Sequence, residues 1–251
     1  MKIKASILSF AMLVLAPAVG WAGPGDGILN TAHDFSGRAT TSNAQAWTTG
    51  SCTYCHTPHK AITTELLWNH TLSVNTFSWD IAKTTAGTIF PTFVGDTYKG
   101  PTAKCLSCHD GSVAIGDIAW FGEGKPTIFN VNEKHGAGDM FNVGFGGNMK
   151  GNHPVAMPYP LAGVASTYNG VTTGSSAALG EWQASPSSPI RLFNDTAGTI
   201  SAGAVAGSTG IECSSCHDPH NKAAVDDLFL RGKMAGATQA SGYLCLQCHI
   251  K

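Results

Sequence analysis

Cys52-Thr53-Tyr54-Cys55-His56-Thr57-Pro58-His59 and Cys213-Ser214-Ser215-Cys216-His217-Asp218-Pro219-His220 are two copies of one pattern, Cys-x-x-Cys-His-x-Pro-His. Each is followed by a shorter relative, Cys105-Leu106-Ser107-Cys108-His109 after the first and Cys245-Leu246-Gln247-Cys248-His249 after the second. The four motifs use all eight cysteines of the 251-residue chain. In Cys-x-x-Cys-His two thiols form thioethers to a porphyrin and the adjoining imidazole ligates its iron. Four complete motifs therefore predict four covalently attached haem c groups, with His56, His109, His217 and His249 as proximal ligands.

Other uses of paired cysteines fit less well. Two all-cysteine zinc sites would need the pairs but not a histidine after each of them. A disulfide scaffold suits an exported chain with eight cysteines, and it too leaves the histidines unexplained. Thioredoxin-like redox chemistry needs one pair beside a βαβ pattern, which the sequence does not display.

The N-terminus points the same way. Lys2 and Lys4 precede an apolar run from Ala5 to Ala16, and Gly20-Trp21-Ala22 is a small-x-small cleavage site. Residues 1–22 read as a secretory signal peptide, too short in its apolar run for a membrane span. No later stretch is apolar enough to cross a bilayer. Export agrees with haem attachment outside the cytoplasmic membrane, and it predicts an extracellular or outer-surface protein, alternatively a periplasmic one. Formal net charge is −1 and charged residues are 12% of the chain, so there is no basic footprint for nucleic acid.

Gly, Thr, Ser and Ala abound and no long run has a 3.6-residue period, which predicts little regular structure. The expected fold is that of a multihaem cytochrome c: mostly irregular coil with short helices and minor β, wrapped around a chain of four haems. Short helices are expected around 103–109, 222–231 and 243–249. Residues 23–251 form one tetrahaem domain with two paired-motif units, 33–160 and 211–251. Between them lies an Ala/Ser/Thr/Gly-rich insert, 161–210, read chiefly as a long surface loop, with strands of Thr and Val as the structured alternative and intersubunit contact as the functional one.

Low-spin electron-transfer haems need a second axial ligand from His or Met. Ten histidines leave six after the proximal four: His33, His59, His70, His135, His153 and His220. Met140, Met149, Met157 and Met234 sit in no recognisable ligand context. His59 and His220 each lie three residues past a proximal histidine, and so short a span cannot reach round a macrocycle to its other face. Each must therefore serve a different haem. His33 and His153 stand at matching places ahead of the two units. His70 lies in the apolar stretch Leu66-Leu67-Trp68-Asn69-His70; counted from Cys52 and Cys213, its counterpart is Arg231. His135 is in a polar, glycine-flanked context and ranks last. Five distal candidates, His33, His59, His70, His153 and His220, remain for four positions.

The segments His33-Asp-Phe-Ser, Cys52 to His59, Leu67-Trp-Asn-His70, Cys105 to Gly111, Asn152-His-Pro-Val155, Cys213 to His220 and Leu244 to His249 resemble, in this order, the extracellular multihaem cytochromes of the OmcE and OmcS type. Those proteins polymerise into electron-conducting filaments. The resemblance implies bis-His haems in a continuous stack and one distal histidine donated across a subunit boundary, which would be His59. It implies a homopolymer whose other partners are redox cytochromes or extracellular electron acceptors. The expected function is electron transfer without catalysis. A soluble periplasmic shuttle differs only in assembly. A multihaem reductase would need an iron with an open position, and here every motif is standard and ligands are in excess.

Overall fold

The computed structural model describes residues 22–35, 51–59, 61–62, 65–84, 87–113, 117–118, 143–174, 179–187 and 189–250. The signal-peptide reading (but for Ala22), His135 and Met140 lie outside the described residues. Among the described residues no helix is long and apolar enough to cross a membrane.

Regular structure is sparse. The longest element is α1, Pro101–His109, which carries the second motif. It begins at a proline in its first turn, where the missing N–H has no intrahelical partner to lose. The third motif forms a single turn, α2, Cys213–Cys216, opened by a capping box between Glu212 and Ser215. The fourth forms only a 3-10 turn, Cys245–Gln247.

Among the described residues there are also eight short strands. β1 (Thr76–Phe77) pairs with β2 (Phe93–Val94). β3 (Met157–Pro158), β6 (Phe193–Asn194), β7 (Ser201–Ala202) and β8 (Thr209–Ile211) make an antiparallel sheet in the order β3-β8-β6-β7. β4 (Thr167–Tyr168) and β5 (Val171–Thr172) form a hairpin over Asn169-Gly170. Both turn residues have positive φ, 50° and 70°, as a tight two-residue hairpin requires.

The expected surface loop at 161–210 is therefore built structure. The Asn-Gly pair between Thr/Tyr and Val/Thr residues is a hairpin signal that the composition of the insert concealed. Tyr168 is fully buried, and the insert contributes β4 to β7 and part of β8.

Two of the three expected helices are also revised. The one around 103–109 is α1, starting two residues earlier. No helix forms at 222–231. There the Asp218 carboxylate accepts the N–H groups of Lys222 and Ala223 at 2.9 and 2.5 Å, which fixes a turn. Leu228 and Phe229 then take left-handed φ of 56° and 61°. At 243–249 the turn stops at Gln247, and the chain beyond pairs with the insert instead: Gln183 N–H donates to Cys248 O, and Ile250 N–H to Glu181 O.

The described residues form three small apolar clusters, each adjoining an attachment motif. Phe77, Phe93, Tyr98, Ala103, Leu106 and Met149 pack around α1. Tyr54 and Ile118 pack with Phe35 and Cys55 at the first motif. Met157, Tyr159, Leu192 and Ile211 pack with Trp182 and Cys248 at the fourth. Met149 and Met157 are thus packing residues, buried in these clusters.

Candidate haem-binding site

The motifs follow one another in space as they do in sequence. Cys55 of the first is within electrostatic reach of Cys108 of the second. Cys105 lies near Cys213 of the third, where α1 packs against α2, and Cys216 is within electrostatic reach of Cys245 of the fourth. None of the eight cysteines is in a disulfide. Burial pushes the thiols of Cys55, Cys108 and Cys248 up to about 12 and that of Cys216 up to about 11. Zinc binds thiolates in convergent sets; these four thiols, one from each motif, are kept neutral by burial. Among the described residues, which include every cysteine, no three His, Cys, Asp or Glu side chains converge as for a bare metal ion. The donors suit thioether attachment to an apolar macrocycle better than either a zinc site or a disulfide scaffold.

The proximal histidines of the two longer motifs are held alike. His56 Nδ1 lies 2.6 Å from Leu66 O, and His217 Nδ1 lies 2.9 Å from Leu228 O. A carbonyl only accepts, so each Nδ1 carries the proton and each Nε2 keeps its lone pair for a metal. The carbonyls are presented by matched knuckles of two consecutive left-handed residues, Leu66-Leu67 and Leu228-Phe229. The match extends outward. Thr57 N–H donates to Leu67 O as Asp218 N–H does to Phe229 O. Asn69 Nδ2 donates to Thr53 O at 2.6 Å, and Arg231 Nε to Ser214 O at 3.1 Å.

These bonds correct the counted alignment. The knuckle is ten residues past His56 but eleven past His217, so Arg231 corresponds to Asn69, and His70 to Gly232. A Cβ on Gly232 would stand 2.7 Å from Leu244 Cδ1 and 2.9 Å from Leu244 Cα, so packing against the fourth motif leaves no room for a ligand there. Arg231, itself buried, instead pairs with Asp218 at 3.2 Å.

Three proximal imidazoles face a second one. His56 faces His220 with ring centres 6.2 Å apart and planes at 24°. His109 faces His33 at 6.0 Å and 60°. His249 faces His153 at 6.2 Å and 61°. Two imidazoles on opposite sides of one metal ion, through bonds of about 2 Å, have ring centres about 6 Å apart. His33 and His153 also direct Nδ1 to backbone carbonyls, Pro219 O at 3.3 Å and Pro154 O at 2.8 Å. Burial, then the neighbouring His109, lowers the His33 pKa to about 4, so it is the neutral imidazole that a metal needs. Among the described residues no fourth ring pair of this spacing forms at His217. His59 is exposed. His70 is 2% exposed, bridged to Ile118, with Nδ1 2.9 Å from Thr71 O.

Several supporting residues escaped the sequence. Asp110, after His109, is fully buried and accepts from Ser73 Oγ, Asn75 Nδ2, and both the N–H and Oγ of Ser112. Glu212, before Cys213, is fully buried and accepts from Tyr98, from Tyr168 at 2.5 Å and from the Thr102 N–H at 3.1 Å. Trp182, from the insert, stacks on His249. Only the knuckles had a legible signal, the repeated acidic-apolar-apolar-apolar strings Glu65-Leu-Leu-Trp68 and Asp227-Leu-Phe-Leu230.

No curated protein matches the chain. Residues 205–251 match the family model described as the doubled CXXCH motif, so the segment carrying the third and fourth motifs has the signature of multihaem c-type cytochromes, whose motifs bind haem covalently.

Proposed function

We propose that this protein is an electron-transfer tetrahaem cytochrome c that polymerises into an extracellular filament. The observation that carries the electron-transfer reading is the set of three facing imidazole pairs at 6.0 to 6.2 Å, which suit closed, six-coordinate iron. His56 with His220, His109 with His33, and His249 with His153 are the residues that would hold three of the irons. Haem, when bound, supplies a one-electron couple whose potential is low under bis-His ligation, because the Met ligand that raises it in many cytochromes c is missing. The chain's own part is to fix those ligands, with backbone carbonyls holding His33, His56, His153 and His217 in one tautomer. Apolar clusters pack against Cys55 and Cys248. The order of neighbouring cysteines supports a continuous path from the first motif to the fourth.

His217 is the remaining proximal ligand. His59 corresponds to His220 in the duplicated motif, and His220 faces the proximal histidine of the other unit. By the same relation His59 serves the iron of His217, and its exposure supports donation to a neighbouring copy. His70 is then the surplus candidate. The test is His59→Ala, examined by electron microscopy and by carbon monoxide binding of the reduced protein. Wild type is expected as filaments that bind almost no carbon monoxide. The variant is expected as monomers that retain every haem and bind one carbon monoxide each. Wild-type monomers would replace the filament by a soluble shuttle. Filaments of the variant with every iron six-coordinate would move the donated ligand elsewhere. Stoichiometric carbon monoxide binding by wild type would revive a catalytic haem.

A further inference from the structure

The insert does more than join two units, because its segment 181–184 is laid along the fourth motif. Trp182 forms a backbone bridge with His249, flanked by hydrogen bonds from Gln183 N–H to Cys248 O and from Ile250 N–H to Glu181 O, both 2.9 Å. The Trp182 ring stacks on the His249 imidazole with centres 4.7 Å apart and planes at 35°. Behind it Tyr159 meets the indole edge-on, at 5.3 Å and 89°. Tyr159 is fully buried and donates its hydroxyl to Gln183 O at 2.5 Å, so the wall that backs the indole is itself pinned to the insert. Rotation of the His249 ring would break its contact with Trp182, while its facing partner His153 is oriented separately through Pro154 O at 2.8 Å.

We infer that Trp182 is a positioning residue for His249: it sets the imidazole plane at 61° to that of His153 and shields the ligand from water. This rests on the reading of His249 as an iron ligand. Two consequences follow from ligand chemistry. The mutual angle of two axial imidazoles governs the splitting of the iron d orbitals, so crossed planes give a highly anisotropic low-spin ferric spectrum and near-parallel planes a rhombic one. A ligand screened by an aromatic wall lies in a less polar surrounding, which disfavours the more highly charged ferric state and raises the potential.

The experiment uses the holoprotein carrying Trp182→Ala, Trp182→Phe or His249→Met. Haem content comes from intact mass, and the readouts are electron paramagnetic resonance of the oxidised protein and a spectroscopic redox titration. For Trp182→Ala the haem mass should be unchanged. One highly anisotropic signal should collapse towards the rhombic form and one potential should fall, with the others unmoved. Trp182→Phe, which retains a flat ring, should restore both. If Trp182→Ala does not accumulate with its haems, Trp182→Leu keeps apolar bulk without the ring and is expected to give the same two shifts. Wild-type spectra and potentials in the Ala or Leu variant, while His249→Met shifts one signal, would overturn the role of Trp182 alone. An unshifted spectrum in His249→Met would overturn the ligand assignment beneath it.

Discussion

Glu212→Gln should weaken this fold more than its conservative look suggests. The carboxyl is fully buried, and four donors converge on it: the hydroxyls of Tyr98 and Tyr168, and the N–H groups of Thr102 and Ser215. Thr102 belongs to α1 and Ser215 to α2, so one side chain ties the second motif to the third. An amide offers one oxygen and two N–H donors. With its nitrogen on the Thr102 side the amide meets that N–H donor against donor, and flipped it leaves both tyrosine O–H groups without their acceptor. Loss of one hydrogen bond plus an unsatisfied buried donor comes to about 3 kcal/mol. For a chain of this size that is about 6–12 °C in the calorimetric midpoint of the holoprotein. Burial pushes the Glu212 pKa above the usual carboxylate range, outweighing the hydrogen bonds that oppose it. The folded state therefore binds this proton more tightly than the unfolded chain. Wild-type stability from this group is full below about pH 4.3, the unfolded value, and declines as pH rises towards the folded one. The gap between wild type and variant should thus be widest at low pH and narrow as pH rises. A variant melting within about 1 °C of wild type, or a gap that widens with pH, would refute the reasoning.

Three further outcomes are expected. Intact mass of the denatured protein should exceed the mature polypeptide by four haem masses, and fewer would remove a motif from the haem-binding set. The oxidised protein should give a rhombic low-spin signal from the His56–His220 pair, at 24°, and highly anisotropic signals from the pairs at 60° and 61°; spectra of a single kind would contradict the ring geometry. Gly232→Ala should cost about 1–3 kcal/mol by calorimetry, because the new methyl meets the backbone of Leu244 as well as its side chain, whereas a neutral result would mean the fourth motif yields easily.

Some of this was legible because it is local. Alternation at 167–172 with Asn-Gly at its centre encodes a hairpin, and Pro101 ahead of a motif encodes a helix start. The helix was expected from the sequence, while the hairpin was masked by a Ser/Thr/Gly-rich composition that reads as loop. The helix expected at 222–231 failed for a different reason. Its residues have adequate propensity, but Asp218 captures two of its first N–H groups and Leu228 turns its carbonyl towards His217. Tertiary demand overrode a weak local preference.

What the sequence determined by itself is the covalent chemistry and the duplication. Thioether spacing and the adjoining imidazole are properties of five consecutive residues, and a repeated string needs no folding to be seen. The tertiary structure alone decided which imidazole faces which, that Arg231 answers to Asn69 rather than His70, and that the insert lies against the last motif. A second axial ligand must come from the far side of a macrocycle, so it comes from elsewhere in the chain. Under the proposed ligation, the pairing of His33, His153 and His220 with motif histidines is made by loops meeting in space, through carbonyls and packing that leave no mark in the order of the residues.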